Sequence, residues 1–165
     1  MSGKVDAGGG GPFTMSEKDN PSSAGTAEQE ERFKKIIEDR VSGAPFYELL
    51  GLSVETLAQG EARVKMKASA RLHNTAGIVH GGAIAALADA ASGVAMATLI
   101  PGGSRRIITV EQKVNFIAPV REGDLIGTGK VFWSEGDIAV SEAEIRDDEG
   151  NLVAKSIATH MLSAR

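Results

Sequence analysis

The sequence predicts an α+β fold, one antiparallel sheet wrapped around a long central helix, and three observations carry that expectation. Residues 83–100 form an apolar run dominated by alanine, too long for an ordinary strand and long enough for a buried helix. Residues 61–68 alternate Ala62, Val64, Met66 and Ala68 with Glu61, Arg63, Lys65 and Lys67, the pattern of a strand buried on one face. Four more strand-like segments follow the helix, so strands and helices are segregated along the chain instead of alternating.

The elements follow in order. Phe33, Ile36 and Ile37 at helical spacing among Glu and Lys predict a short amphipathic helix over 27–40, a lid or flank that ends before Ser42-Gly43. After Pro45, residues 46–50 read as one helical turn capped by Gly51, and 52–57 and 61–68 as two strands around Gln59-Gly60. A loop over 69–79 leads into the long helix, which stops before Pro101-Gly102-Gly103. The strands over 105–116, 124–133, 138–146 and 152–162 are separated by turn compositions, including the tight polar loop Ser134-Glu135-Gly136-Asp137, and are expected to form a four-stranded meander. There is no internal repeat.

Composition narrows the function classes. The 165 residues, 42% hydrophobic and 24% charged, fit one globular domain, assigned to 27–165. Residues 1–26, rich in Gly, Ser and Pro, are expected to form a flexible tail; with neither a basic segment nor an apolar stretch they do not resemble a signal peptide. A net charge of -4 offers no general attraction to nucleic acid or to anionic membranes. Without cysteine the chain has no disulfide, thiolate nucleophile or Cys-based zinc site, and His73, His80 and His160 do not form a ligand cluster, so no metal and no cofactor is expected. The apolar run reaches only the lower limit for spanning a bilayer and has Asp89 at its centre, so no membrane span is expected and a cytoplasmic protein is.

Asp89 is the most informative residue. Apolar and small residues surround it on every side of the helical wheel, and burying an unpaired carboxylate is costly enough that its presence implies a dedicated partner or a chemical role. A helix apolar on all faces also exceeds what one sheet can cover, which predicts a second copy of the chain on its remaining face.

The segment His73-Asn74-Thr75-Ala76-Gly77-Ile78-Val79-His80-Gly81-Gly82, followed by Leu87-Ala88-Asp89, resembles the signature of the hotdog-fold acyl-CoA thioesterases, most closely the phenylacetate-degradation type with an Asp in its helix. The resemblance extends to Asn115-Phe116-Ile117-Ala118-Pro119-Val120 and to the order of elements from about Phe46 onward. It implies a hotdog fold and hydrolysis of an acyl- or aryl-CoA thioester. It also implies a homodimer at least, and a homotetramer arranged as a dimer of dimers.

Elementary chemistry stands beside the family likeness. Gly81 and Gly82 open the helix, where the first amides lack intrahelical acceptors and glycine permits close approach, so they suit an oxyanion hole; a tight turn needing glycine for geometry alone is the ordinary alternative. Asp89 suits either direct attack on the thioester carbon or general-base activation of water, against an interface acid paired with a partner's Arg. Eight residues separate Gly81 from Asp89, roughly 12 Å along a helix, so a shared site requires Gly81 of one subunit and Asp89 of another.

By resemblance Asn74 and His80 lie near the thioester, although Asn74 in a loop also suits an Asx-turn and His80 a helix cap. Thr109, opposite in facing to Ile108 and Val110, matches a position where relatives carry a hydroxyl that contacts the nucleophile or water. Ser92, one turn beyond Asp89, is a weaker candidate, and His73 and His160 have no evident partner. Phe116, Pro119, Trp133, Ser134 and Gly136 align with coenzyme A-contacting segments of relatives, although a single Trp more often belongs to a core; Arg105, Arg106, Lys113, Arg121, Lys130, Arg146 and Lys155 are the cations available to its phosphates, most of them expected to be simply solvated. Two further readings remain: a non-catalytic acyl-CoA-binding or regulatory module, and a hydratase on the same fold.

Overall fold

The computed structural model describes residues 27–100 and 105–164, so the expected tail over 1–26 lies outside the described residues. Helices α1 (Ala27–Arg40) and α2 (Pro45–Leu50) precede strands β1 (Leu52–Ala58) and β2 (Glu61–Lys67). Helix α3 (Gly81–Ala97) is followed by β3 (Arg105–Phe116), β4 (Asp124–Glu135), β5 (Ile138–Asp147) and β6 (Leu152–Ala164). Each element appears within three residues of its expected ends. Pro45 starts α2 with a nitrogen that needs no acceptor, and Gly51 ends it with a φ of 68°, its N–H returned to the carbonyls of Glu48 and Tyr47.

The six strands form one antiparallel sheet in the order β1-β2-β4-β5-β6-β3. This corrects the expected four-stranded meander. Only β4, β5 and β6 follow one another; β3 crosses to the far side of β6 and becomes an edge, and β4 pairs with β2. The reason lies in clearance beneath the helix. On β4 a Cβ added at Gly129 would stand 2.3 Å from the Ala91 carbonyl oxygen, and one at Gly127 would stand 3.0 Å from Ile145 Cδ1 and 3.1 Å from Leu87 Cγ. The strand with no side chains at those positions therefore lies directly under α3.

Small inward residues on the neighbouring strand, Ala139, Ser141 and Ala143, continue this close seat. One core forms where Leu87, Ala88 and Ala91 meet Val64, Met66, Leu125, Ile145 and Val153. A second, at the other end of α3, joins Val94, Met96 and Ile100 to Val41 and Val131, with Ile37 and Tyr47 against it. Helix α1 flanks that end: Ile36 is buried, and the Arg32 guanidinium donates to the Thr98 carbonyl.

Within a single chain α3 is not covered on all sides. Gly82 is exposed, and Gly81, Ala85, Ala86, Asp89 and Gly93 are only half-buried, forming one stripe at three- and four-residue spacing. Asp89 therefore sits on the open stripe and not in the core. The outer sheet face carries exposed Ile108, Val110, Phe132, Trp133, Ile157 and Met161. Among the described residues no helix is long and apolar enough to cross a membrane.

Candidate active site

The loop before α3 uses its polar side chains to build itself and leaves particular donors over. Asn74 Oδ1 accepts from the amides of Ala76 at 2.9 Å and Ile78 at 3.4 Å, an Asx-type turn. Its side-chain nitrogen makes no hydrogen bond among the described residues. His80 is the N-cap of α3: its Nδ1 accepts from Gly82 N–H at 2.9 Å, and its carbonyl accepts from Ala83 and Ile84 at 2.9 and 3.3 Å. An accepting Nδ1 places the proton of the neutral ring on Nε2.

These bonds leave Gly81 N–H as the one first-turn amide of α3 without an acceptor among the described residues. Gly81 borders an apolar cleft of about 260 Å³, lined also by Asn74, Ile78, Val79, Ile84 and residues 116–119. The Phe116 ring lies against Gly81 so closely that a Cβ there would be 3.2 Å from Cζ. A side chain at this position would press on the Phe116 ring, which would have to give by a few tenths of an ångström.

Asp89 has a separate environment on the same chain. Thr109 Oγ1 donates to Asp89 Oδ1 at 2.7 Å and lies 3.3 Å from His160 Nδ1; His160 Nε2 is 2.8 Å from Ser141 Oγ. His160 is fully buried, and burial holds its imidazole below the usual 6.5 against a smaller opposing pull from the Asp89 charge. The Tyr47 phenol is pushed up to about 12, chiefly by burial and further by the Asp89 charge. Among the described residues Asp89 has no ion pair. Its partner is a hydroxyl, which orients a carboxylate without neutralising it.

The expected site residues thus fall into three groups along β3, which runs antiparallel to α3. Asn74, Gly81, Phe116 and Pro119 share the cleft, with His80 holding the helix start beside them. Asp89 and Thr109 meet further along. Trp133, Ser134 and Gly136 lie at the β4–β5 hairpin, outside the cleft, at the end where Arg105 ion-pairs with Asp137.

Several partnerships were not evident in the sequence. His160 has Thr109 and Ser141, and His73 Nε2 lies 2.8 Å from the Arg121 carbonyl. The available signal was position: His160 occupies an inward place between Ala158 and Leu162, and Ser141 one between Ala139 and Ala143, polar residues on apolar faces. Ser92 bonds neither Asp89 nor its own backbone; its hydroxyl is buried and unpartnered among the described residues. Of the candidate cations, Arg105, Arg146 and Lys155 are ion-paired and Arg121 binds the carbonyls of Ala76 and Gly77. Arg106, Lys113 and Lys130 have no such partner among the described residues.

Comparison with known proteins gives this geometry a class. The Thioesterase superfamily model matches residues 76–154, from the loop before α3 into β6. A relative from Saccharolobus solfataricus, whose name marks it as an inferred esterase, is 30% identical over 68% of this chain and 74% of its own. A conserved Pseudomonas aeruginosa protein of known structure is 34% identical, with a TM-score of 0.70 over 76% of this chain and 97% of that one. The Escherichia coli PaaI protein of the phenylacetic acid degradation operon has the same fold, with a TM-score of 0.73 at 20% identity, over 79% and 93% of the two chains. The protein belongs to the thioesterase superfamily and has its hotdog fold. It is an enzyme of the thioester-hydrolysing class.

Proposed function

We propose that the protein is an acyl-CoA thioesterase whose site is completed across a dimer. The observation that carries this reading is that Gly81, whose N–H has no acceptor among the described residues, lines an apolar cleft that does not include Asp89. A thioester carbonyl over that amide would gain a hydrogen bond that strengthens as negative charge develops on its oxygen, and the uncommitted Asn74 side-chain nitrogen supplies a second donor. Asp89 of the partner copy either attacks the carbonyl carbon, giving an anhydride that water then opens, or takes a proton from the attacking water. In both routes the C–S bond breaks, the thiol of coenzyme A leaves, and one water is consumed.

Placement supports the dimer. Strand β3 is an edge with unpaired backbone groups, Phe116 stands by Gly81, and Thr109 stands by Asp89. A two-fold antiparallel pairing of β3 with its copy brings the Phe116 end of one chain toward the Thr109 end of the other. The same pairing moves Trp133, Ser134 and Gly136 of one copy toward the other's cleft, where they and Phe116 and Pro119 form the coenzyme A wall. Arg106, Lys113 and Lys130 are the cations free to meet its phosphates. The apolar outer sheet face, with Ile108, Val110, Trp133, Ile157 and Met161, supports a dimer of dimers. The enzyme is assigned to the cytoplasm, without cofactor or metal.

The cleft's Ile78, Ile84, Phe116 and Ile117 accept aromatic and aliphatic acyl groups alike. The test is thiol release from paired phenylacetyl-CoA and medium-chain acyl-CoA substrates by wild type and Asp89→Asn. Turnover of at least one substrate, lost by about 100-fold or more in the variant, is expected. Tight binding without turnover would favour an acyl-CoA-binding module, and a full rate in Asp89→Asn would remove Asp89 from the chemistry.

A further inference from the structure

Behind Asp89 the hydrogen bonds continue inward through Thr109 and His160 to Ser141, on three different strands. The direction of each bond can be assigned. The carboxylate can only accept, so Thr109 spends its single hydroxyl proton on Asp89 Oδ1. Thr109 Oγ1 then has only lone pairs to offer His160 Nδ1, and that nitrogen must carry the proton. A neutral ring protonated on Nδ1 is bare on Nε2, so Ser141 donates to it. The opposite tautomer would set the lone pairs of Nδ1 and Thr109 Oγ1 against each other in a buried place.

We propose that Ser141 and His160 are positioning residues for hydrolysis: Ser141 selects the Nδ1–H tautomer of His160, which orients the Thr109 hydroxyl onto Asp89 Oδ1 and leaves Oδ2 as the reacting oxygen. Asp89 Oδ2 has no hydrogen bond among the described residues, and Asp89 lies on the open stripe of α3. Burial of the imidazole keeps it neutral, as the relay requires. All three bonds point the same way, so each polarises the next. This role rests on the hydrolytic reading of Asp89, whereas the tautomer assignment does not.

The test therefore has a spectroscopic and a kinetic arm, both on the full-length oligomer. Nitrogen-15 NMR of histidine-labelled wild type is expected to show His160 protonated on Nδ1 and bare on Nε2, with that preference weakened in Ser141→Ala. In thiol-release assays Ser141→Ala is expected to lower kcat about fivefold with KM unchanged, the scale of one lost hydrogen bond. His160→Asn, whose amide nitrogen falls near the Nδ1 position, should keep kcat at least about fivefold above His160→Gln, whose amide reaches toward Ser141.

An Nε2–H tautomer in wild type would overturn the proposal, as would an unchanged kcat in Ser141→Ala. Equal kcat in folded His160→Asn and His160→Gln would do the same. Should the His160 variants not fold, wild type and Ser141→Ala decide the matter. If no thioester is hydrolysed at all, the functional reading fails while the tautomer result still stands or falls by itself.

Discussion

Thr109 holds Asp89 through a 2.7 Å hydrogen bond from its hydroxyl to Oδ1, joining an edge strand to the centre of the helix. Thr109→Val keeps the β-branched shape and removes only the donor. Hydrogen bonds to charged groups contribute about 1.5–3 kcal/mol, so kcat should fall by about 10- to 100-fold in the valine variant and recover in Thr109→Ser. Circular dichroism and thermal melting check that the fold is kept.

A site made from two copies has a signature that no single-chain site can produce. Asp89→Asn and Asn74→Ala would each inactivate a homodimer, yet a mixed dimer carries one intact Asn74 facing one intact Asp89. Co-expressed at equal levels, the two variants should recover about a quarter of wild-type activity, since half the dimers are mixed and each has one working site. Purification by two different tags would isolate the mixed dimers, expected at about half the wild-type rate.

Gly129 carries a stability prediction. A methyl group there meets the backbone carbonyl of Ala91 at 2.3 Å, with the Ala91 carbon and Ser92 nitrogen also inside 3 Å, and backbone cannot rotate away. Gly129→Ala should destabilise by about 3 kcal/mol or more, read as a lowered urea midpoint or as loss of soluble protein. Gly127→Ala meets side chains and no backbone, Ile145 Cδ1 at 3.0 Å, Leu87 Cγ at 3.1 Å and Ala91 Cβ at 3.3 Å, and should cost less.

The buried imidazole of His160 sets a pH dependence. Its folded pKa lies below the usual 6.5, so as pH falls through 6.5 the unfolded chain takes up a proton that the folded chain does not. Protons bound to the unfolded state exceed those on the folded state, and stability falls with falling pH across the window from 6.5 down to the depressed folded value. Urea midpoints measured from pH 7.5 to 5.5 should show that decline in wild type and a shallower one in His160→Asn.

Local pattern accounts for most of what could be read before folding. Period-two alternation in β2 and the long alanine-rich run of α3 are visible along a single stretch of chain, and their ends came within a few residues. Asn74, His80 and Gly81 lie within one segment, so their common concern with the start of α3 was legible as well. The separation of Gly81 from Asp89 needed only the rise of a helix.

Other features depend on residues distant in sequence. Whether β3 follows β4 or crosses to β6 is set by how closely a helix can approach two glycines, a clearance that exists only once α3 lies on the sheet. The Asn74 and His80 side chains were legible as candidates, yet their hydrogen bonds to the loop and to Gly82 are what leave the Gly81 amide free. His160 and Ser141 stand on neighbouring strands, and Thr109 on the edge beyond, so their relay forms only when β5, β6 and β3 take their places in the sheet. Alternation and motif spacing are properties of the chain and so belong to the sequence; pairing partners, hydrogen-bond direction and the open stripe beside Asp89 are properties of packing, which the tertiary structure alone decides.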